Sequence, residues 1–330
     1  MYLPALYNKL VQGNETSSHP LSLTHGYRTR GIAMQKNLAS DIVPRNPITL
    51  FDAIPHDLTI DTSDGTEIWT HKFMLSVHSS VFRDMFVVAN TGQDRVKVEE
   101  DSHAMEVLLR FCYPETDPVV KDLGRLWAVV KAMKKYMVEG DVEVRVLKIL
   151  GPLIHQEPVR AYALACQEGW EDLAKLAARA SLRQDIPKIC APELDGVKGS
   201  AVFRLFQYQE ECRGAMTHVG EGWVDDLGLF PHNTNRSYCK HLPYSCPNSI
   251  YYDEDGYSAW QIYRAETIRR LREKPCVDVV KESKTVAPLL ASITKCSSCR
   301  DEAYSDLPKL VDAYAQVVDD LTAKVSLSSI

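Results

Sequence analysis

The chain has 330 residues, 45% of them apolar and 25% charged, with a formal net charge of −6, which is ordinary for a globular protein with room for two domains. A mildly acidic body lacks the basic face that phosphate neutralisation needs, which argues against nucleic-acid binding. No apolar run is long enough to mark a membrane span, and the opening, MYLPALYNKLVQGNE, lacks the basic start and apolar centre of a secretory signal. The nine cysteines are scattered and odd in number, which points to a reducing compartment, cytoplasmic or nuclear.

Residues 1–50 carry Pro4, Pro20, Pro44 and Pro47 around a centre rich in Ser, Thr, His and Gly. Periodicity there is weak, and the stretch reads as a mostly disordered leader, the alternative being that part of it adds a strand or short helix to the next domain. Leu58 and Ile60 then alternate with Thr59 and Asp61, the period of a half-buried strand. Asp64-Gly65 is a hairpin turn signal, and Thr66 to His71 supplies the returning strand. The period lengthens next. Phe73, Met74 and Val77, then Val81, Phe82, Met85 and Phe86, recur at helical spacing, with Ser79 or Ser80 placed to cap the second helix. Arg95 to Val98 alternates as a short strand. An acidic turn leads into a helix with Met105, Leu108, Leu109 and Cys112 on one face, ended by Pro114 and Pro118. Leu123, Leu126, Trp127, Val130, Met133 and Met137 mark an amphipathic helix. Val142, Val146 and Ile149 begin another, closed by Gly151-Pro152. These elements form a first domain over residues 51–150.

A helical hairpin follows in residues 151–192. Val159, Tyr162, Ala163 and Cys166 make one stripe, and Leu173, Leu176, Ala177 and Ala180 the other, with Gly169 at the turn. Residues 193–330 read as mainly helical, at Val202–Cys212, Ala259–Glu273 and Ser305–Leu327. A long loop rich in cysteine and tyrosine interrupts them.

Little in the chain announces chemistry. Cys296-Ser-Ser-Cys299 has zinc-knuckle spacing. Cys239, with His241 or Cys246, is the nearest completion to four ligands, and Cys212, His218 and His232 are further candidates. Two ordinary cysteines at a helix start is the competing reading, because a single Cys-x-x-Cys lacks a clear second half. There is no His-Glu-x-x-His, no Gly-x-Ser-x-Gly, no phosphate loop and no Gly-x-Gly-x-x-Gly. A zinc hydrolase, a serine nucleophile and a nucleotide site therefore have no anchor. Asp253-Glu254-Asp255 lacks the alternating ligands of a calcium loop and reads as charged surface. Tyr238, Tyr244, Tyr251, Tyr252, Tyr257 and Trp260 suit either a recognition surface or a clamp for their own loop.

The ordered series Asp57, Asp64-Gly65, His71-Lys72, Leu75, Ser79, Val81-Phe82, Met85-Phe86 resembles the opening of a BTB/POZ domain. The run LLRFCYPETDP, Leu108 to Pro118, resembles that family's helix ending in an aromatic turn. The FCYP form of the turn, the run Arg160 to Leu182 and the C-terminal Cys-x-x-Cys resemble in particular the BTB proteins common in mushroom-forming (basidiomycete) fungi. The resemblance implies an α+β protein: a BTB/POZ fold, with a small sheet flanked by a helical cluster, followed by a mainly α-helical C-terminal region. It implies that the 151–192 hairpin packs on the BTB domain. It also implies a non-enzymatic module that self-associates as a homodimer, docks other proteins and serves as a substrate adaptor of a cullin-type ubiquitin ligase. Asp57, His71, Lys72, Phe82, Met85 and Phe86 would then be fold or dimer-face residues, with the ring nitrogens of His71 tying the hairpin to the helix after it. No kelch repeat, MATH domain or finger array accompanies these features. The alternative is therefore an oligomerising regulatory or scaffold protein with a structural zinc site in its C-terminal half.

Overall fold

The computed structural model describes residues 47–50, 54–88, 94–114, 117–186, 191–220, 259–293 and 297–327. The chain divides after Gln156 into two units, Met1–Gln156 and Glu157–Ile330. The first is α+β and the second is mainly helical among its described residues.

The first unit is built on a four-stranded sheet of β1 (Ile48–Thr49), β2 (Leu58–Asp61), β3 (Glu67–Thr70) and β4 (Arg95–Lys97), in the order β1-β3-β2-β4. β2 and β3 form the expected antiparallel hairpin, with Leu58 opposite Thr70 and Ile60 opposite Ile68. All four of these side chains are buried, as period-2 alternation requires when one sheet face meets a core. The other face holds Asp61 and Glu67, and Arg95 reaches across to both. β1 lies inside the stretch read as leader: Ile48 pairs parallel with Ile68 and Thr49 with Trp69. Two residues carry no detectable alternation, so periodicity had no means of finding this strand.

Two helices follow the hairpin, α1 (Lys72–His78) and α2 (Ser80–Val88). Ser79 separates them. Its N–H bonds Leu75 O and so ends α1, while its hydroxyl accepts from Phe82 N–H and so caps α2. After β4 come α3 (Ser102–Cys112), α4 (Leu123–Lys135) and α5 (Asp141–Gln156). Asp101 and Asp122 are the N-caps of α3 and α4, accepting from Ala104 and Arg125 N–H at 2.8 Å each. The apolar faces of α3 and α4 meet in the core through Met105, Leu108, Leu109, Leu126, Val130 and Met133.

Two helix ends depart from the sequence reading. Gly151-Pro152 does not close α5, which carries Pro152 inside it. Leu150, Leu153 and Ile154 are buried on both sides of the proline, and that burial offsets the hydrogen bond a proline removes. Met137 does not continue α4. It sits at φ 47 and is 57% exposed. Met137 N–H bonds Lys134 O and Val138 N–H bonds Met133 O, a Schellman closure with methionine at the left-handed position that glycine usually fills.

In the second unit, α6 (Pro158–Gln167) and α7 (Glu171–Ser181) form the hairpin. Gly169 at the turn has φ 67, and buried Ala161, Ala165, Ala174 and Ala178 allow the helices to approach closely. Tyr162, fully buried, donates to Ala201 O at 2.8 Å and so joins α6 to α8 (Gly199–Ala215). The rest is α9 (Ala259–Glu273), α10 (Val277–Lys281), α11 (Ser283–Ile293) and α12 (Ser297–Lys324). Ala259–Glu273 matches the sequence reading. α12 begins earlier than the expected Ser305 and ends before Leu327. The edge-on contact of Tyr263 with Tyr314 and the Arg179–Asp319 ion pair at 2.7 Å tie α9 and α7 to α12.

Candidate interaction site

The loop Thr62–Thr66 holds the hairpin to α3. Gly65 takes φ 77 there. The Asp64 carboxylate accepts from Thr62 Oγ1 at 2.6 Å and from Ser102 Oγ at 2.7 Å. Burial opposes its ionisation, but these hydroxyls and the N–H groups of Thr66 and Ser102 outweigh that and hold its pKa at about 2. A second tether joins the acidic turn to α4. Tyr136 Oη donates to Glu100 at 2.5 Å, and Lys135 Nζ reaches both Glu99 and Glu100 at 2.9 Å. Burial works against the Glu100 charge, yet the Tyr136 and Lys135 donors bring its pKa below the usual value.

The strand-to-helix junction gathers three of the residues singled out in the sequence. His71 Nδ1 lies 2.7 Å from Tyr113 Oη and its Nε2 lies 3.2 Å from Ile54 O. Because a carbonyl only accepts, Nε2 carries a proton in this arrangement; in the neutral ring Nδ1 then accepts from Tyr113. Tyr113 also meets Thr70 Oγ1 at 3.0 Å. His71 thus fastens the hairpin to the aromatic turn after α3, farther along the chain than the helix that follows it. Asp57 accepts the first N–H of α1, from Lys72, at 2.8 Å, and the Lys72 ammonium pairs with Asp94 at 2.7 Å. Asp57 and Lys72 act as positioning groups for α1.

Phe82 is fully buried, stacked on Tyr136 at 4.6 Å and against Phe86 at 6.0 Å. Met85 and Phe86 are half-buried. Freely accessible apolar side chains lie on α1, where Phe73 is 73% and Val77 54% exposed, and at the end of α2, where Val87 is 72% exposed. Phe73 and Val77 flank Leu75, which faces the core, and at 100° per residue both fall on the opposite side of the helix. Ile54, held at the start of α1 by His71, is 57% exposed. Sequence reasoning grouped Phe73 and Val77 with the core pattern. The signal it passed over is that a one-face core helix does not carry apolar residues two before and two after its buried leucine.

Of the candidate zinc ligands, Cys239, His241, Cys246 and Cys296 lie outside the described residues, and Cys299 is placed only as a position in the first turns of α12. Cys212 is a core residue of α8 whose thiol burial pushes up to about 11. Among the described residues no three His, Cys, Asp or Glu side chains are grouped to hold a metal.

A small sheet closed by short helices leaves an apolar helix face turned to solvent, a surface of the kind that protein contacts cover. Residues 50–144 match the family model of the BTB/POZ domain, so the first unit contains a BTB/POZ domain. No curated protein matches the chain. No helix among the described residues is long and apolar enough to cross a membrane.

Proposed function

We propose that this protein is a non-enzymatic interaction module that self-associates as a homodimer through α1 and docks other proteins as a substrate adaptor of a cullin-type ubiquitin ligase. The observation that carries self-association is the exposed trio Ile54, Phe73 and Val77, set on a helix whose start is fixed by Asp57 and His71. Apolar side chains held rigidly in water favour a covering partner, and a self-complementary face is the commonest way to supply one. The BTB/POZ match supports protein docking. In this reading residues 157–330 recruit the substrate. Cytoplasm or nucleus suits the free thiols of Cys112, Cys166, Cys212 and Cys276, and the FCYP turn with the 160–182 run supports a fungal member.

Light scattering on the full-length protein tests the first step. The wild type runs as a dimer, and Phe73→Asp with Val77→Asp as a monomer of unchanged helix content; a monomeric wild type overturns the reading. Capture of a purified cullin by the wild-type dimer tests the second. A dimer that captures none selects the scaffold alternative, whose structural zinc rests on the Cys296-x-x-Cys299 spacing. Zinc content that is equal in wild type and Cys296→Ser removes that site.

A further inference from the structure

Positive charge in the first unit is gathered on one helix. Residues 121–135 carry five Lys/Arg and one Asp, while the other residues of 51–150 carry seven Lys/Arg against sixteen Asp/Glu. The five are Lys121, just before α4, and Arg125, Lys131, Lys134 and Lys135 on it. Lys134 is half-buried and the other four are exposed. Arg125, half-buried Ala128, Lys131 and Lys135 follow one another at three, three and four residues, so they line one ridge of the helix. The single acid, Asp122, is taken up as the N-cap, accepting from Arg125 N–H at 2.8 Å.

Helix stability accounts for only part of this placement. Lys134 and Lys135 lie in the last turn, where the helix dipole favours cations, and Lys135 is met by Glu99 and Glu100. Lys121 and Arg125 lie at the other end, where the dipole opposes a cation and where the first turn holds no acid. Neither makes an ion pair among the described residues. Their charge therefore adds to the positive end of α4 instead of offsetting the negative one.

We propose that the exposed ridge of α4 docks an acidic, extended peptide segment of another protein. From Lys121 to Lys135 the ridge runs about 20 Å, the length of roughly six extended residues. Carboxylates spaced along such a segment meet the cations in turn, and the opposite signs speed encounter and fix the register of docking. A segment of this length needs to touch only the basic helix. A long polyanion such as a nucleic acid would also meet the acidic remainder of the unit, which repels it. Solvated charge contacts are individually weak, so the binding is weak and sensitive to salt. The site uses neither α1 nor the second unit, and it stands whether or not the α1 dimer forms.

Fluorescence anisotropy of a labelled octaglutamate peptide, titrated with the full-length chain, is the test. Binding is expected, and it weakens by about tenfold between about 50 and 500 mM salt. Lys121→Glu with Arg125→Glu weakens it by at least about fivefold, as reversal of two contacting charges does. These substitutions place acids at a helix N-terminus, where they favour the helix, and an unchanged circular dichroism spectrum shows that the variant is folded. Lys97→Glu with Lys284→Glu makes the same change in net charge on exposed residues of β4 and α11 and leaves the affinity within about twofold. The proposal is overturned if octaglutamate does not bind at several hundred micromolar protein, if octaglutamine binds equally well, or if the two double variants lose affinity equally. It is also overturned if a single-stranded octanucleotide binds more tightly than octaglutamate, which would make the ridge a nucleic-acid surface.

Discussion

Replacing Asp64 by Asn tests how far a single carboxylate organises the BTB unit. The carboxylate collects the hydroxyls of Thr62 and Ser102 and the N–H of Thr66, so one side chain holds the hairpin loop and the first turn of α3 together. Its pKa falls from the ordinary 3.8 to about 2. At about 1.4 kcal/mol for each tenfold in proton affinity, that drop would be worth ~2.5 kcal/mol in a site shielded from water. Asp64 is exposed, and solvent screening reduces the figure to about 1 kcal/mol. The folded-state pKa lies below the unfolded one, so this stabilisation is fully present above pH 3.8 and disappears as the pH falls towards 2. Urea unfolding of wild type and Asp64→Asn at pH 7 and at pH 2.5 measures the effect. The variant is expected to be about 1 kcal/mol less stable at pH 7, with the gap narrowing at pH 2.5. A gap that stays constant between the two pH values would refute the charge argument, and no gap at pH 7 would refute the loop's dependence on Asp64.

Three further outcomes follow from the first unit. Phe82→Ala removes a fully buried ring stacked on Tyr136 and should cost about 3–5 kcal/mol in chemical unfolding. Tyr113→Phe leaves the buried Thr70 hydroxyl and His71 Nδ1 without the partner they share; a loss of about 1–3 kcal/mol is expected, visible as a lower midpoint. Burial pushes the Cys112 thiol up to about 12, so a thiolate-selective reagent at pH 8 should label the half-exposed Cys166 well before Cys112. Simultaneous labelling of both would show that α3 opens often enough to expose Cys112.

The BTB fold was legible because its local signals agree. Leu58 and Ile60 alternate, Asp64-Gly65 turns, and the apolar spacing of α3 and α4 points one face inward. The misreadings have specific physical sources. Pro152 carries a helix-breaking signal that burial of Leu150, Leu153 and Ile154 overrides. Met137 fits the α4 register in sequence, but the backbone turns left-handed at that residue and puts it in water. β1 is two residues long and exists through pairing with β3, a non-local fact. The site shows the same limit. Asp57, His71 and Lys72 were legible as a group, while the partners of His71 were not, because Tyr113 is 42 residues away. Phe82 was read with Met85 and Phe86 as a fold or dimer-face residue, and its full burial puts it among the fold residues. The exposed Phe73 and Val77 were hidden in a pattern that looks like core until the side of the helix each occupies is worked out.

Ser79 has a consequence for how the chain comes off the ribosome. Its hydroxyl also donates to Tyr136 O at 2.6 Å, a bond across 57 residues of sequence, and its backbone pairs with Val138. The junction of α1 and α2 therefore has no complete set of partners until the end of α4 has emerged. The ring of Phe82 waits for Tyr136 in the same way. A nascent chain stopped short of Tyr136 would present Phe82 and Leu75 to chaperones as open apolar surface. Synthesis of the next few residues closes that window. Slow codons placed between α3 and α4 should then lower the yield of folded protein far more than slow codons placed after Gln156.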